Sequence, residues 1–241
     1  MKNFLFLFTL FIVIARPVYA QVGFGSELGI GMSSMHFAPP TYPILYTSAS
    51  VSPIFSGKVG GVIDLPLSKH VYFQAGLSLS RRGAVKSFSY YKNDSFNESV
   101  HQTLNINYLD LPVNVLYKSG MQGKGRFIVG LGATASYIIG GRNILQDHQV
   151  YNDSMTNTND NVKISLVNTL HGFDIGVNVT AGYESPTGLF FRLYYTVGVN
   201  DIGIHTETDK NRMWGIAAGY FFGKGRNINK ETDDLIDKTP L

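Results

Sequence analysis

The sequence predicts an all-β chain: an eight-stranded antiparallel up-and-down transmembrane β-barrel. Three observations carry that expectation. The hairpin Gly172 to Asn200 alternates strictly: Phe173, Ile175, Val177, Val179, Ala181 and Tyr183 share one face, and Asp174, Gly176, Asn178, Thr180, Gly182 and Glu184 the other. After the turn Ser185-Pro186-Thr187-Gly188, the second arm puts Leu189, Phe191, Leu193, Tyr195, Val197 and Val199 together. A period of two over this length means long antiparallel strands with one apolar face. Each arm is also about the ten residues a tilted strand needs to cross a bilayer.

The second observation is which residues make the polar face. It is built of Gly, Ser, Thr and Asn, and only 15% of the whole chain is Asp, Glu, Lys or Arg. A water-facing surface is usually about 25–35% charged. Small polar side chains fit the lumen of a closed barrel, so the aromatic-rich face is expected to meet lipid, unlike a soluble lipocalin-like barrel. The third observation is the alternation of connection lengths, with short turns at one end and longer loops at the other, as in bacterial outer-membrane barrels.

Ahead of the barrel, Lys2, the apolar run Phe4 to Ile14 and Val18-Tyr19-Ala20 read as a secretory signal peptide over residues 1–20, cleaved after Ala20. The run is too short to span a bilayer as a helix, and no later stretch is long and apolar enough. The chain has no cysteine, which excludes a disulfide framework, a thiolate metal site and a lipidated N-terminal cysteine. Loss of Lys2 and Arg16 leaves 18 Lys and Arg against 17 acids, so no nucleic-acid partner is expected.

Taken in order, the first strand covers about Gly23 to Phe37, with Phe24, Leu28, Ile30 and Met32 outward and Glu27 inward. A long connection, Ala38 to Pro53, leads to the second strand, Phe55 to Leu65, which turns Val59, Ile63 and Leu65 outward and Lys58 and Asp64 inward. The third, from Val71 past Arg81-Arg82 to Tyr91, places Phe73, Ala75, Leu77 and Leu79 outward, and Lys92 to Ser99 is read as a loop. In the fourth, Thr103 to Lys118, the apolar residues change parity from Leu104, Ile106 and Tyr108 to Leu109, Leu111 and Val113, which predicts a β-bulge near Tyr108-Leu109. The fifth is Arg126 to Ile139, followed by the longest connection, Gly140 to His171, whose centre Asn152 to Asn161 reads as mobile loop. The hairpin supplies strands six and seven. Asn211 to Phe222 makes the eighth, with Trp214, Ile216, Tyr220 and Phe222 outward. The barrel is thus expected over residues 21–222, with a flexible periplasmic tail at 223–241 and both mature termini in the periplasm.

Two aromatic girdles follow, with Tyr117, Tyr183, Tyr220 and Phe222 near one rim and Tyr108, Tyr137, Tyr195 and Trp214 near the other. Asn107-Tyr108-Leu109-Asp110-Leu111-Pro112-Val113 resembles the "YLEIPL"-like strand of the PorT-like outer-membrane β-barrel family. Val129-Gly130-Leu131-Gly132-Ala133 and Gly219-Tyr220-Phe221-Phe222 are similar to that family too. The resemblance covers nearly all of the mature chain. It implies an outer-membrane barrel, associated in PorT itself with a protein-secretion apparatus, and brings no catalytic residues.

The candidate site is the lumen. Glu27, Lys58, Asp64, Asp110, Glu184 and Arg192 point inward, together with Asp174, and buried charges must be paired or hydrated. Arg192 is read as the one inward arginine in the apolar part of any strand, gathering at least two of Glu27, Asp64 and Asp110 into a plug. An ion or proton path is the alternative. His36, His101, His148, His171 and His205 lie toward the loop end without ligand spacing, so no metal or cofactor is expected. Ser165 or Ser136 with His171 would be needed for a rim lipid hydrolase, and nothing specifies a triad. Asp153-Ser154-Met155 resembles a bacterial O-glycosylation site. The expected role is a non-enzymatic, monomeric structural or accessory barrel, contacting outer-membrane lipid and a protein partner through its loops or tail. A narrow porin is the runner-up.

Overall fold

The computed structural model describes residues 22–38, 46–93, 96–119, 125–151, 154–158, 172–202 and 208–222. The strands are β1 (Gly23–Ala38), β2 (Tyr46–Pro66), β3 (Val71–Asn93), β4 (Phe96–Ser119), β5 (Arg126–Tyr151), β6 (Ser154–Thr158), β7 (Phe173–Glu184), β8 (Leu189–Gly198) and β9 (Thr208–Phe222). Every pairing is antiparallel. Eight strands close a ring, β1-β2-β3-β4-β5-β7-β8-β9 and back to β1, while β6 only folds back on the far end of β5. Closure pairs the backbone of each strand on both sides and leaves no edge in the belt region.

Alternation places the side chains as the hairpin predicts. Leu193 is 62% exposed and Phe191 55%, whereas the intervening Arg192 is 6% exposed. The outward apolar residues form a continuous belt that includes Leu28, Val59, Leu77, Leu111, Leu131, Val179 and Ile216. Tyr117, Tyr183, Tyr220, Phe222, Tyr137, Tyr195 and Trp214 are all exposed on it. At the short-turn end, Tyr183 meets the Phe127 ring edge-on at 5.4 Å, and Tyr220 meets Phe222 at 5.5 Å. The β7–β8 turn closes through Gly188 N–H to the Ser185 carbonyl (3.0 Å), with Gly188 at φ +90°, a conformation that suits glycine.

Three expectations need correction. First, β2, β3, β4 and β5 run well past the apolar belt. Tyr46–Pro53, Lys92–Asn93, Phe96–Ser99 and Gly140–Tyr151, read as loop, are strand. Beyond the belt the outer face turns polar and apolar residues move to the inner one, but the backbone ladder continues, with Asn97 to Asn107 pairing Val150 to Gly140. Of the segment read as mobile loop, Ser154–Thr158 is β6, and the rest lies outside the described residues. Residues 1–20 and 223–241, read from the sequence as signal peptide and tail, also lie outside them.

Second, β4 has no bulge. Its even residues stay inward from Leu104 to Lys118. The irregularity is in β5, where Ile139 has no partner between Asn107↔Gly140 and Tyr108↔Ile138, so Ile139 and Gly140 both face outward. Third, Tyr108 is not in a girdle but fully buried. It joins Met35, Ala84, Leu104, Ile106, Ile138 and Ile202 in an apolar cluster inside the barrel, above the belt. In addition, β2 carries its own irregularity between Pro53 and Gly57. There the Ser33 hydroxyl reaches across from β1, accepting from Gly83 N–H (2.8 Å) and donating to the Gly83 carbonyl (3.0 Å). That hydroxyl satisfies backbone groups which a regular ladder would have paired.

Pro112 stays in the β4 ladder opposite Thr134 of β5. On the β3 side the pairing lapses between Ala75↔Val113 and Ser78↔Asp110, where proline has no N–H to give.

Candidate functional site

Inward alternation brings charged side chains from every wall into one narrow space, and they sort into three tiers. Nearest the short turns, Lys118 of β4 is 1% exposed. Its Nζ donates to Asp64 Oδ2 (2.5 Å) and Glu184 Oε2 (2.6 Å). Arg126 donates to Glu184 Oε1 (2.5 Å) and to the Tyr72 hydroxyl (2.6 Å). The Lys118 ammonium lies 4.5 Å from the Tyr72 ring centre, a cation–π contact within the cage.

The middle tier is centred on Glu27. Lys58 reaches its Oε1 at 2.6 Å and Arg192 bonds its Oε2, so each carboxylate oxygen holds one cation. Arg192 also donates to Gln74 Oε1 (2.6 Å), and Gln74 Nε2 donates to Asp64 Oδ1 (2.6 Å). Gln74 thereby ties the two lower tiers together. The third tier, toward the long-strand end, belongs to Arg82, which donates to Asp110 Oδ2 (2.7 Å) and Ser136 Oγ (3.3 Å) and lies 3.7 Å from Asp174. Asn211 Nδ2 donates to Asp174 Oδ2 (2.7 Å) and to the Tyr108 hydroxyl (2.8 Å).

The expected hub is therefore replaced. Arg192 touches one of its three expected acids, Glu27, and meets Asp64 only through Gln74. Asp64 and Glu184 belong to Lys118, and Asp110 to Arg82. Nor is Arg192 the one inward arginine, since Arg82 is 4% exposed inside the barrel. Arg82, Lys118 and Arg126 were not foreseen; Gln74 was expected to face inward, but not to link the tiers. The signal was present in the alternation: Gln74, Ser78, Ser80 and Arg82 share a parity, as do Asp110, Asn114 and Lys118.

Five carboxylates, Glu27, Asp64, Asp110, Asp174 and Glu184, are matched by five cations, Lys58, Arg82, Lys118, Arg126 and Arg192. All but Lys58 and Arg126, which keep 21% and 13% of their side-chain surface exposed, are nearly desolvated, so the geometry holds only because partners are present on several sides. Between the middle and upper tiers, Asn178, Thr134, Thr196 and Asn114 form an uncharged hydrogen-bonded layer. A cavity of about 60 Å³ remains among Glu27, Lys58, Arg82, Asp110, Arg192 and Tyr194. It is room for a few waters, and Arg82 Nε, Asp110 Oδ1, Arg192 Nε and the Tyr194 hydroxyl around it have no protein partner.

Among the described residues no three His, Asp or Glu side chains are grouped to hold a metal. His36 is exposed, and His101 bonds Ser87 Oγ at 2.8 Å. Ser136 is buried in the lumen beside Arg82. Ser165, His171, His205 and Asp153 lie outside the described residues. So do the side chains of His148, Ser154 and Met155.

Among solved structures, the chain is similar to the neisserial surface protein A, with 10% identity over 83% of this chain and 97% of that one (TM-score 0.39). It is also similar to OprG of Pseudomonas aeruginosa, at 9% identity over 83% and 96% (TM-score 0.45). Ail of Yersinia pestis gives 12% identity over 82% and 98% (TM-score 0.32). Among curated proteins, none matches the chain. Residues 16–203 match the family model described as outer membrane protein beta-barrel domain, a match that ends just before β9, the strand that completes the ring. The chain belongs to the outer membrane protein beta-barrel domain family, and its place is the bacterial outer membrane.

Proposed function

We propose that this protein is a non-enzymatic, non-conducting accessory barrel that acts through the part of its wall standing above the membrane. The observation that carries this reading is the ion-paired lumen: three tiers of charge cross the bore, and the Met35–Tyr108–Ile138 apolar cluster lies above them. An eight-stranded barrel has an interior just wide enough for side chains, and these fill it. What the structure offers to a partner is height. Strands β3, β4 and β5 are 23, 24 and 26 residues long. At about 3.4 Å per residue and a tilt near 40°, the longest rises roughly 65 Å, against an apolar band of about 25 Å.

In this reading the belt faces lipid as a monomer, the short turns and both mature termini are periplasmic, and β3–β6 project outward. A protein partner binds that projection or the tail. The PorT-like resemblance suggests a secretion-associated partner. A narrow proton path is the second reading, favoured by the polar cavity among Arg82, Asp110, Arg192 and Tyr194. Liposome flux separates the two: vesicles carrying the refolded protein should retain potassium and small sugars as protein-free vesicles do. Release of either would refute the sealed barrel, and collapse of a proton gradient alone would support the second reading.

A further inference from the structure

Each acid with a described side chain in a strand points into the barrel: Glu27, Asp64, Asp110, Asp174 and Glu184. The outer wall is different. Its charged strand residues among those described are Arg81, Arg142, Lys210 and Arg212, all basic and all at the long-strand end of the apolar belt. The opposite rim carries Tyr117, Phe127, Tyr183, Tyr220 and Phe222 instead.

Two of these cations belong to one constellation. Arg81 of β3 pairs across the ladder with Asn107 of β4, and Asn105 of β4 pairs with Arg142 of β5. The bulge at Ile139 sets this up, because it shifts β5 by one residue and brings Arg142 to the outer face. Arg81 Nη2 donates to Asn105 Oδ1 (2.8 Å), which leans its guanidinium toward Arg142 and leaves its other N–H groups free. The strands of Arg81 and Arg142 are two ladder steps apart, about 10 Å, within reach of two long side chains converging on one ligand. Directly below are Leu79 (50% exposed), Leu111 (54%), Tyr137 (57%) and Ile139 (50%). Above, Val85, Ser87, Thr103, His101 and Ile144 contribute no carboxylate.

A pair of arginines flanked by amide donors, set at the upper edge of an apolar wall, has the chemistry of a site for a phosphate attached to acyl chains. Planar guanidinium groups bind phosphate oxygens through paired charge-assisted hydrogen bonds, and a low-dielectric neighbour strengthens them. We propose that Arg81, Asn105, Asn107 and Arg142 bind the phosphate of a phosphorylated glycolipid, whose acyl chains lie against Leu79, Leu111, Tyr137 and Ile139. Placing that lipid in the outer leaflet rests on the orientation proposed above; the contact itself does not.

The test uses the full chain refolded in neutral detergent micelles, where there is no leaflet and orientation plays no part. Diphosphoryl lipid A is the probe and binding is read by native mass spectrometry. Wild type should bind it at least about tenfold more tightly than the same lipid stripped of phosphate, as loss of charge-assisted hydrogen bonds implies. Arg81→Gln with Arg142→Gln should remove that difference, and Arg142→Gln alone should reduce it severalfold. Lys210→Gln with Arg212→Gln, on the β9 wall, should change it less than twofold, and each variant is scored only after its heat-modifiable gel shift shows a folded barrel. Equal losses in both double variants would mean unspecific attraction by net charge and overturn the site. So would competition by millimolar inorganic phosphate, which would show an anion site with no acyl component, or a wild type indifferent to the lipid's phosphates.

Discussion

Lys118 gives the sharpest perturbation of the lumen. Its ammonium is 1% exposed and bonds two carboxylates, Asp64 at 2.5 Å and Glu184 at 2.6 Å. Lys118→Met keeps the stem and removes the charge. Glu184 would still hold Arg126, but Asp64 would be left with the Gln74 amide as its remaining described partner. Removing one partner of a buried pair costs about 3–5 kcal/mol, and Arg126 places this case near the lower end, about 3 kcal/mol. Neutralising the stranded acid should return part of that. Asp64→Asn combined with Lys118→Met is expected to be about 1–2 kcal/mol more stable than Lys118→Met alone, a coupling typical of residues in one network. The assay is urea titration of folding into lipid vesicles, read by tryptophan fluorescence from Trp214 and by heat-modifiable mobility. A loss under about 1 kcal/mol, the size of an exposed pair, with no recovery in the double variant, would refute a desolvated tier at Lys118.

Further outcomes follow from the same geometry. Leu193→Arg or Val177→Arg on the belt should cost about 2–4 kcal/mol in the same titration, whereas Asn178→Ala in the uncharged lumen layer should cost about 1 kcal/mol; the reverse order would turn the barrel inside out. Gly182→Ala should destabilise by about 1–3 kcal/mol, because a Cβ there would lie 2.1 Å from the Phe191 carbonyl oxygen, and an unchanged midpoint would contradict the close β7–β8 approach. The chain has no cysteine, so single cysteines report orientation cleanly. Ser50→Cys, on the exposed upper wall, should react with an impermeant maleimide on intact cells, and Thr187→Cys in the β7–β8 turn only after the outer membrane is opened; the opposite pattern would invert the proposed topology.

Much of the fold was legible because a period of two is a direct consequence of strand geometry. The β7–β8 hairpin, the inward Glu27, Lys58, Asp64, Asp110 and Arg192, and the exposed rim aromatics all follow from it. The misplaced bulge and the misplaced Tyr108 share one physical cause. Alternation shows that two faces differ, but not which one is inside. Within the belt the apolar residues face out, and above it Leu104, Ile106 and Tyr108 face in, while Arg81 and Arg142 face out. The wall turns from that of a membrane barrel into that of a soluble one without changing parity in β4. Read on the assumption that apolar always means outward, the same residues demanded a bulge in β4 that does not exist. The partners of Lys118 and Arg82 were hidden for another reason: which charges meet across a lumen depends on strand stagger, and stagger is fixed by closure of the ring rather than by any one strand.

Planar-bilayer recording of the refolded protein tests the sealed lumen most directly. Wild type is expected to insert without stepwise current at any voltage at which the protein-free bilayer stays silent. Lys58→Ala with Arg192→Ala removes both cations from Glu27 yet leaves the Lys118 and Arg82 tiers and the apolar cluster across the bore, so the folded double variant is expected to stay silent too. Discrete, reproducible openings in the wild type would contradict the ion-paired plug.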